Sequence, residues 1–146
     1  MPVIAHDLAR RTFLIALAAP LFADTHQEML DFLAGLTAAL SEGNGLAFLD
    51  RVDHAMQDYY KLEQNILALT EQNEVSTSID MLRQEGDDRV QTLELDWFLQ
   101  IRSREQSGPL ERRRQNVKCR VERQKKNKWK IASIEPVTLF APPGVR

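Results

Sequence analysis

The amino-acid sequence predicts an α+β domain in which helices come first and an antiparallel sheet follows. Two observations carry this. Apolar residues recur at helical spacing as far as Leu69, then alternate one by one from Val75 onward. The alternating stretches are joined by short turns, which makes a meander with one apolar face for the helices to cover. A chain of 146 residues is one domain's worth. It buries enough surface to fold without a metal or disulfide staple.

The first helix runs from Thr25 to Ser41, with Met29, Phe32, Leu33, Leu36 and Leu40 as its stripe. Asp24 or Thr25 is placed to cap it, and Glu28 completes a capping box with Thr25. Gly43-Asn44-Gly45 ends it. Leu46, Leu49, Val52, Met56, Tyr59, Ile66 and Leu69 continue the helical period over a stretch too long for one helix. A break is expected between Asp53 and Asp58, with a short helix before it and a longer one after it that stops at Asn73. No strand pattern precedes the longer helix.

The first strand alternates Val75, Thr77, Ile79 and Met81 with Ser76, Ser78 and Asp80. Gly86-Asp87-Asp88 is a turn. The second strand puts Leu93, Leu95, Trp97, Leu99 and Ile101 on one face, and Glu94, Asp96, Phe98, Gln100 and Arg102 on the other. After a loop containing Ser107-Gly108-Pro109, Val117, Cys119 and Val121 mark the third strand. Trp97 opposite Val117 would set Asp96 against Lys118 and Glu94 against Arg120. A turn around Asn127 leads to a last strand from Trp129 through Ile131 toward Leu139, where Pro136 suits an edge or bulge.

Residues 1–23 read as an address. Arg10 and Arg11 precede an apolar run from Phe13 to Ala23 that contains no acidic residue. Arg10-Arg11-Thr12-Phe13-Leu14 resembles the bacterial twin-arginine export motif. Cleavage after Ala23 would leave residues 24–146 as the mature domain, periplasmic or secreted. The run is too short to span a bilayer, so no stable membrane span is expected. The competing reading is a further helix of the domain, since Leu14, Leu17 and Leu21 share a helical face.

Hydrophobic residues at 43% and charged residues at 27% exclude a disordered or collagen-like chain. The lone cysteine, Cys119, excludes an intramolecular disulfide and a cysteine-cluster zinc site. From Arg102 to Lys130 twelve basic residues face three acidic ones, the footprint of an anionic-polymer surface. Cross-strand pairing with Glu94 and Asp96, together with a net charge of −2, counts against it, and no nucleic-acid partner is expected.

The order of elements, with the closing Lys128-Trp129-Lys130-Ile131-Ala132-Ser133-Ile134-Glu135-Pro136, resembles the nuclear-transport-factor-2-like superfamily. That group includes ketosteroid isomerase, scytalone dehydratase and polyketide (SnoaL-type) cyclases. The resemblance covers residues 25–141. It implies helices packed into a curved antiparallel sheet of four or more strands, enclosing a cone-shaped pocket. It also implies that an enzyme of this type would hold an Asp, His or Tyr in the cone.

The candidates of that kind are Asp53, His54, Asp58, Tyr59 and Tyr60. His54 and Asp58, four apart on a helix, would form an acid–base pair if buried and an ordinary surface ion pair if not. The apolar sheet face has only Thr77, Ser133 and Cys119 as polar exceptions, with Glu135 at its end. It lacks the acid that ketosteroid-isomerase chemistry needs. Tyr59, Met81, Trp97 and Ile131 are the expected pocket lining. No spacing of His with carboxylates makes a metal site, and no cofactor is expected.

The leading reading is an exported, non-catalytic domain that binds a small apolar or amphipathic molecule in the cone, or acts through protein contact. The alternative is a lyase, isomerase or hydrolase that uses His54 and Asp58. A homodimer through the charged outer sheet face is expected in either case.

Overall fold

Helix propensity and its punctuation build the first half of the chain. In this computed structural model, which describes residues 24–105 and 108–144, the first helix (α1) occupies residues 24–41. Residues 1–23, including the expected export signal, lie outside the described residues. The chain divides into a unit ending at Asp31 and a unit from Phe32 to Arg146. Of the first, the described part is the opening turns of α1, with Met29 buried. All other elements belong to the second.

Within the second unit, Asn44 accepts a hydrogen bond from the Ala47 amide at 3.0 Å and so caps α2, Gly45–Leu49. The next helix, α3, spans Tyr59–Gln72. The expected break between them has a physical cause. The Ile131 amide donates to the Arg51 carbonyl and the Asp53 amide donates to the Ile131 carbonyl, both at 2.8 Å. Backbone groups that a helix would use are committed to the last strand, in a one-residue parallel bridge at Val52. The sequence shows no strand pattern there because one bridged residue leaves no period. Asp58 then enters α3 with a left-handed φ of 66°.

Four strands follow in the order β1 (Asn73–Gly86), β2 (Val90–Ser103), β3 (Leu110–Arg123) and β4 (Trp129–Glu135), each antiparallel to its neighbour. The sheet is curved and open. Extra residues at Leu82 in β1 and Ala132 in β4 break the register locally and turn the strands. Gly86, at φ 134°, closes the β1–β2 turn where a Cβ would collide with the Val90 carbonyl. Leu93, Leu95, Trp97, Leu99 and Ile101 are wholly buried, as their alternation requires. Helix α3 packs against α2, β1 and the segment after β4.

Three expectations are corrected. The β2–β3 register is displaced by two residues: Trp97 faces Gln115, Leu95 faces Val117, Asp96 faces Asn116 and Glu94 faces Lys118. A shift of two keeps every side chain on its face, so alternation alone does not detect it. Asp96 instead takes a two-pronged contact from Arg114, at 3.0 Å and 2.6 Å, which holds its carboxyl below the usual range. The last strand stops at Glu135, because Pro136 has no amide to continue the ladder, and Val137–Phe140 forms a 3-10 turn. The extra residue in β4 turns Ser133 outward and Ile134 inward, so Ser133 is not on the apolar face.

Candidate functional site

The inner face of the sheet is apolar at its centre. Trp97 and Ile131 stand on it, both wholly buried. The Trp97 ring lies 6.4 Å from Phe48 and 5.0 Å, edge-on, from Phe140, and Phe48 and Phe140 are 5.6 Å apart. The indole Nε1–H donates to the Thr77 hydroxyl at 2.8 Å, and that hydroxyl donates to the Phe98 carbonyl at 2.8 Å. Thr77, a polar exception in the sequence, is therefore the partner that lets an indole be buried. Thr77→Val should orphan the indole N–H at a cost of about 1–3 kcal/mol. Urea unfolding measures it, and an unchanged midpoint would contradict this role.

Met81 is half-buried at the β1 bulge, opposite Leu95. Tyr59 is half-buried at the start of α3, and its hydroxyl donates to Glu63 at 3.4 Å. Burial and the Glu63 charge raise its pKa. Cys119 is fully buried with its thiol pushed up to about 12 by burial, so it is a core residue and not a nucleophile.

His54 and Asp58 do not share a helix. Both are exposed in the turn before α3. The His54 ring lies 4.6 Å from the Tyr59 ring, tilted by 39°, and Asp58 makes no side-chain hydrogen bond to cap the helix. The i, i+4 reading assumed helical geometry that the bridge at Val52 removes. Asp53 has a structural job: one oxygen accepts from the Ala55 amide at 2.9 Å, the other from Gln124 Nε2 at 2.8 Å. Tyr60 is exposed. Among the described residues no group of His, Cys, Asp and Glu is arranged to hold a metal ion.

The basic stretch is not one surface. Arg113 points inward and binds Glu111 and two carbonyl oxygens. Arg123 lies 4.4 Å over the Trp129 ring, and Lys130 donates to the Asp50 carbonyl. Among the described residues no helix is long and apolar enough to cross a membrane.

Sequence reasoning missed Phe48, Phe140 and Arg113, which frame the inner face. No local pattern marks them, because their roles depend on the segment after β4 folding back.

No family model and no curated protein matches the chain. Solved structures do. A conserved protein from Planctomyces limnophilus aligns with a TM-score of 0.65 at 8% identity, over 77% of this chain and 94% of that one. A nuclear transport factor 2-like superfamily protein from Salmonella enterica aligns at 0.64 and 8%, over 77% and 89%. A protein from Catenulispora acidiphila, solved in complex with S-DNPA, aligns at 0.54 and 15%, over 77% and 91%. Helices followed by a curved, open antiparallel sheet, with these neighbours, define a nuclear-transport-factor-2-like fold. At such identities the likeness is one of fold.

Proposed function

We propose that this chain is an exported, non-catalytic domain that binds a small apolar molecule on the inner face of its sheet. The observation that carries this reading is the chemistry of that face. Around Trp97 and Ile131 it offers apolar side chains, a committed Thr77 hydroxyl and a Cys119 thiol that stays protonated. Such a face binds by area and shape, at roughly 25 cal/mol per Å² of apolar surface buried. Tyr59 and Met81 complete the proposed lining. The fold neighbour solved with S-DNPA supports a fold of this type holding a small molecule.

The enzyme reading would rest on His54 and Asp58, which stand exposed in a turn and lack the shielding that tunes a catalytic group. A thermal-shift screen of apolar ligands on the wild type and His54→Ala tests the proposal. Equal stabilisation of both proteins is expected. Turnover of a hit that disappears in His54→Ala would overturn it.

Export is proposed through residues 1–23, with Arg10 and Arg11 as the recognised pair. Changing both to Lys should block export, and an exported protein that keeps Met1 would contradict cleavage after Ala23. A homodimer is proposed through the outer sheet face. A shallow hollow there is lined by Ser78, Asp80, Asp96, Phe98 and Arg114, with acidic groups on β1 and β2 beside basic ones on β3. A two-fold contact sets each acidic patch on the other copy's basic patch. Sedimentation should show a dimer that weakens as salt rises; a monomer at low salt would contradict it.

A further inference from the structure

The segment after β4 turns back over the inner face of the sheet. Leu139 and Phe140 are buried, at 4% and 0% exposed, and the Phe140 ring sits against Trp97 and Phe48. What holds the backbone on either side of that ring is not a ladder. Among the described residues, no backbone hydrogen bond joins residues 136–144 to the sheet or to the helices. The tethers come from two side chains. Arg113 Nη1 donates to the Leu139 carbonyl at 2.7 Å and to the Ala141 carbonyl at 2.5 Å, and Asn65 Nδ2 donates to the Val137 carbonyl at 3.4 Å. Arg113 Nε is taken by Glu111.

We propose that the seat of Phe140 is a ligand site which the chain fills with its own tail, and that the ligand it fits is an aryl-alkanoic acid. This rests on the reading that the inner face binds an apolar molecule, and it adds the chemical class. The tail displays the pattern of such a ligand: a phenyl ring between Trp97 and Phe48, and carbonyl oxygens a short chain away on Arg113. When the tail leaves, Arg113 keeps Glu111 on Nε and loses two acceptors on Nη1. With the tail in place its side chain is only 15% exposed, so most of its polar contact is with Glu111 and the tail carbonyls. A carboxylate supplies oxygen acceptors to that nitrogen and adds charge to the bond. The ligand ring takes the place of the Phe140 ring, so the aromatic packing is exchanged and not lost. A segment tethered only by side chains opens at lower cost than a paired strand.

The full chain is titrated with hydrocinnamate and, in parallel, with propylbenzene, which has the ring and chain without the carboxylate. Affinity is read by calorimetry, and the tail by the methyl resonances of Leu139 and Ala141. Hydrocinnamate should move both resonances to the positions of a released tail. Arg113→Gln should lower the hydrocinnamate affinity relative to propylbenzene by about tenfold. An unchanged ratio would overturn the assignment of an acid. Binding of both compounds with the tail resonances unmoved would place the ligand elsewhere on the inner face, overturning this proposal and leaving the broader reading intact. Failure of both compounds to bind at millimolar concentration would overturn the two together. If Arg113→Gln does not fold, the tail resonances of the wild type decide.

Discussion

Leu95→Asp should unfold the protein. Leu95 lies on a central strand, wholly buried, with Met81 opposite it on β1 and Val117 opposite it on β3. Neither partner offers a donor. An aspartate there must stay charged without a counter-ion or give up its charge in an apolar layer. Changes of this kind exceed about 4–5 kcal/mol, which competes with a total stability of roughly 5–15 kcal/mol. The neighbouring Asp96→Ser changes a group on the outer face, and its loss should leave the thermal midpoint close to that of the wild type. Circular dichroism melts of the two variants compare them directly. Equal midpoints would contradict the assignment of inner and outer faces.

Phe140→Ala should cost about 3–5 kcal/mol, the range for removing a buried aromatic ring where the surroundings relax only in part. The ring is wholly buried and makes aromatic contacts to Trp97 and Phe48. Removing it leaves a hollow walled by those two rings. Chemical denaturation gives the loss, and Trp97 fluorescence reports the hollow, since the change removes the nearer of the two rings packed against it. Apolar aromatic compounds should recover part of the lost stability by filling the space. A loss under about 1 kcal/mol, the scale of surface substitutions, would mean that the tail contributes little to the inner face.

The helices and the second strand were legible because each carries several repeats of its period. Five inward residues of β2 alternate without exception, and all five are buried. Single-residue features were not legible. The bridge at Val52 has no period to show, yet it ends α2 and moves His54 and Asp58 off a helix. The β2–β3 register slipped by two because Trp97 opposite Val117 and Leu95 opposite Val117 give the same faces. Val137 and Leu139 continue the alternation of β4, but Pro136 cannot continue its hydrogen bonds, so the chain turns and delivers Phe140 to the inner face. The alternation places Trp97 and Ile131 on the inner face, and both are buried there. Phe48, Phe140 and Arg113 come together only through tertiary folding, and local patterns carry no trace of that.

The central claim is that the protein acts through the apolar inner face and not through the exposed turn that carries His54 and Asp58. An amide and indole NMR titration of the full chain with propylbenzene tests this most directly. The account predicts its largest shifts at the Trp97 indole N–H and at the amides of Phe48 and Phe140. Shifts confined to residues 53–58, with the Trp97 indole unmoved, would contradict it.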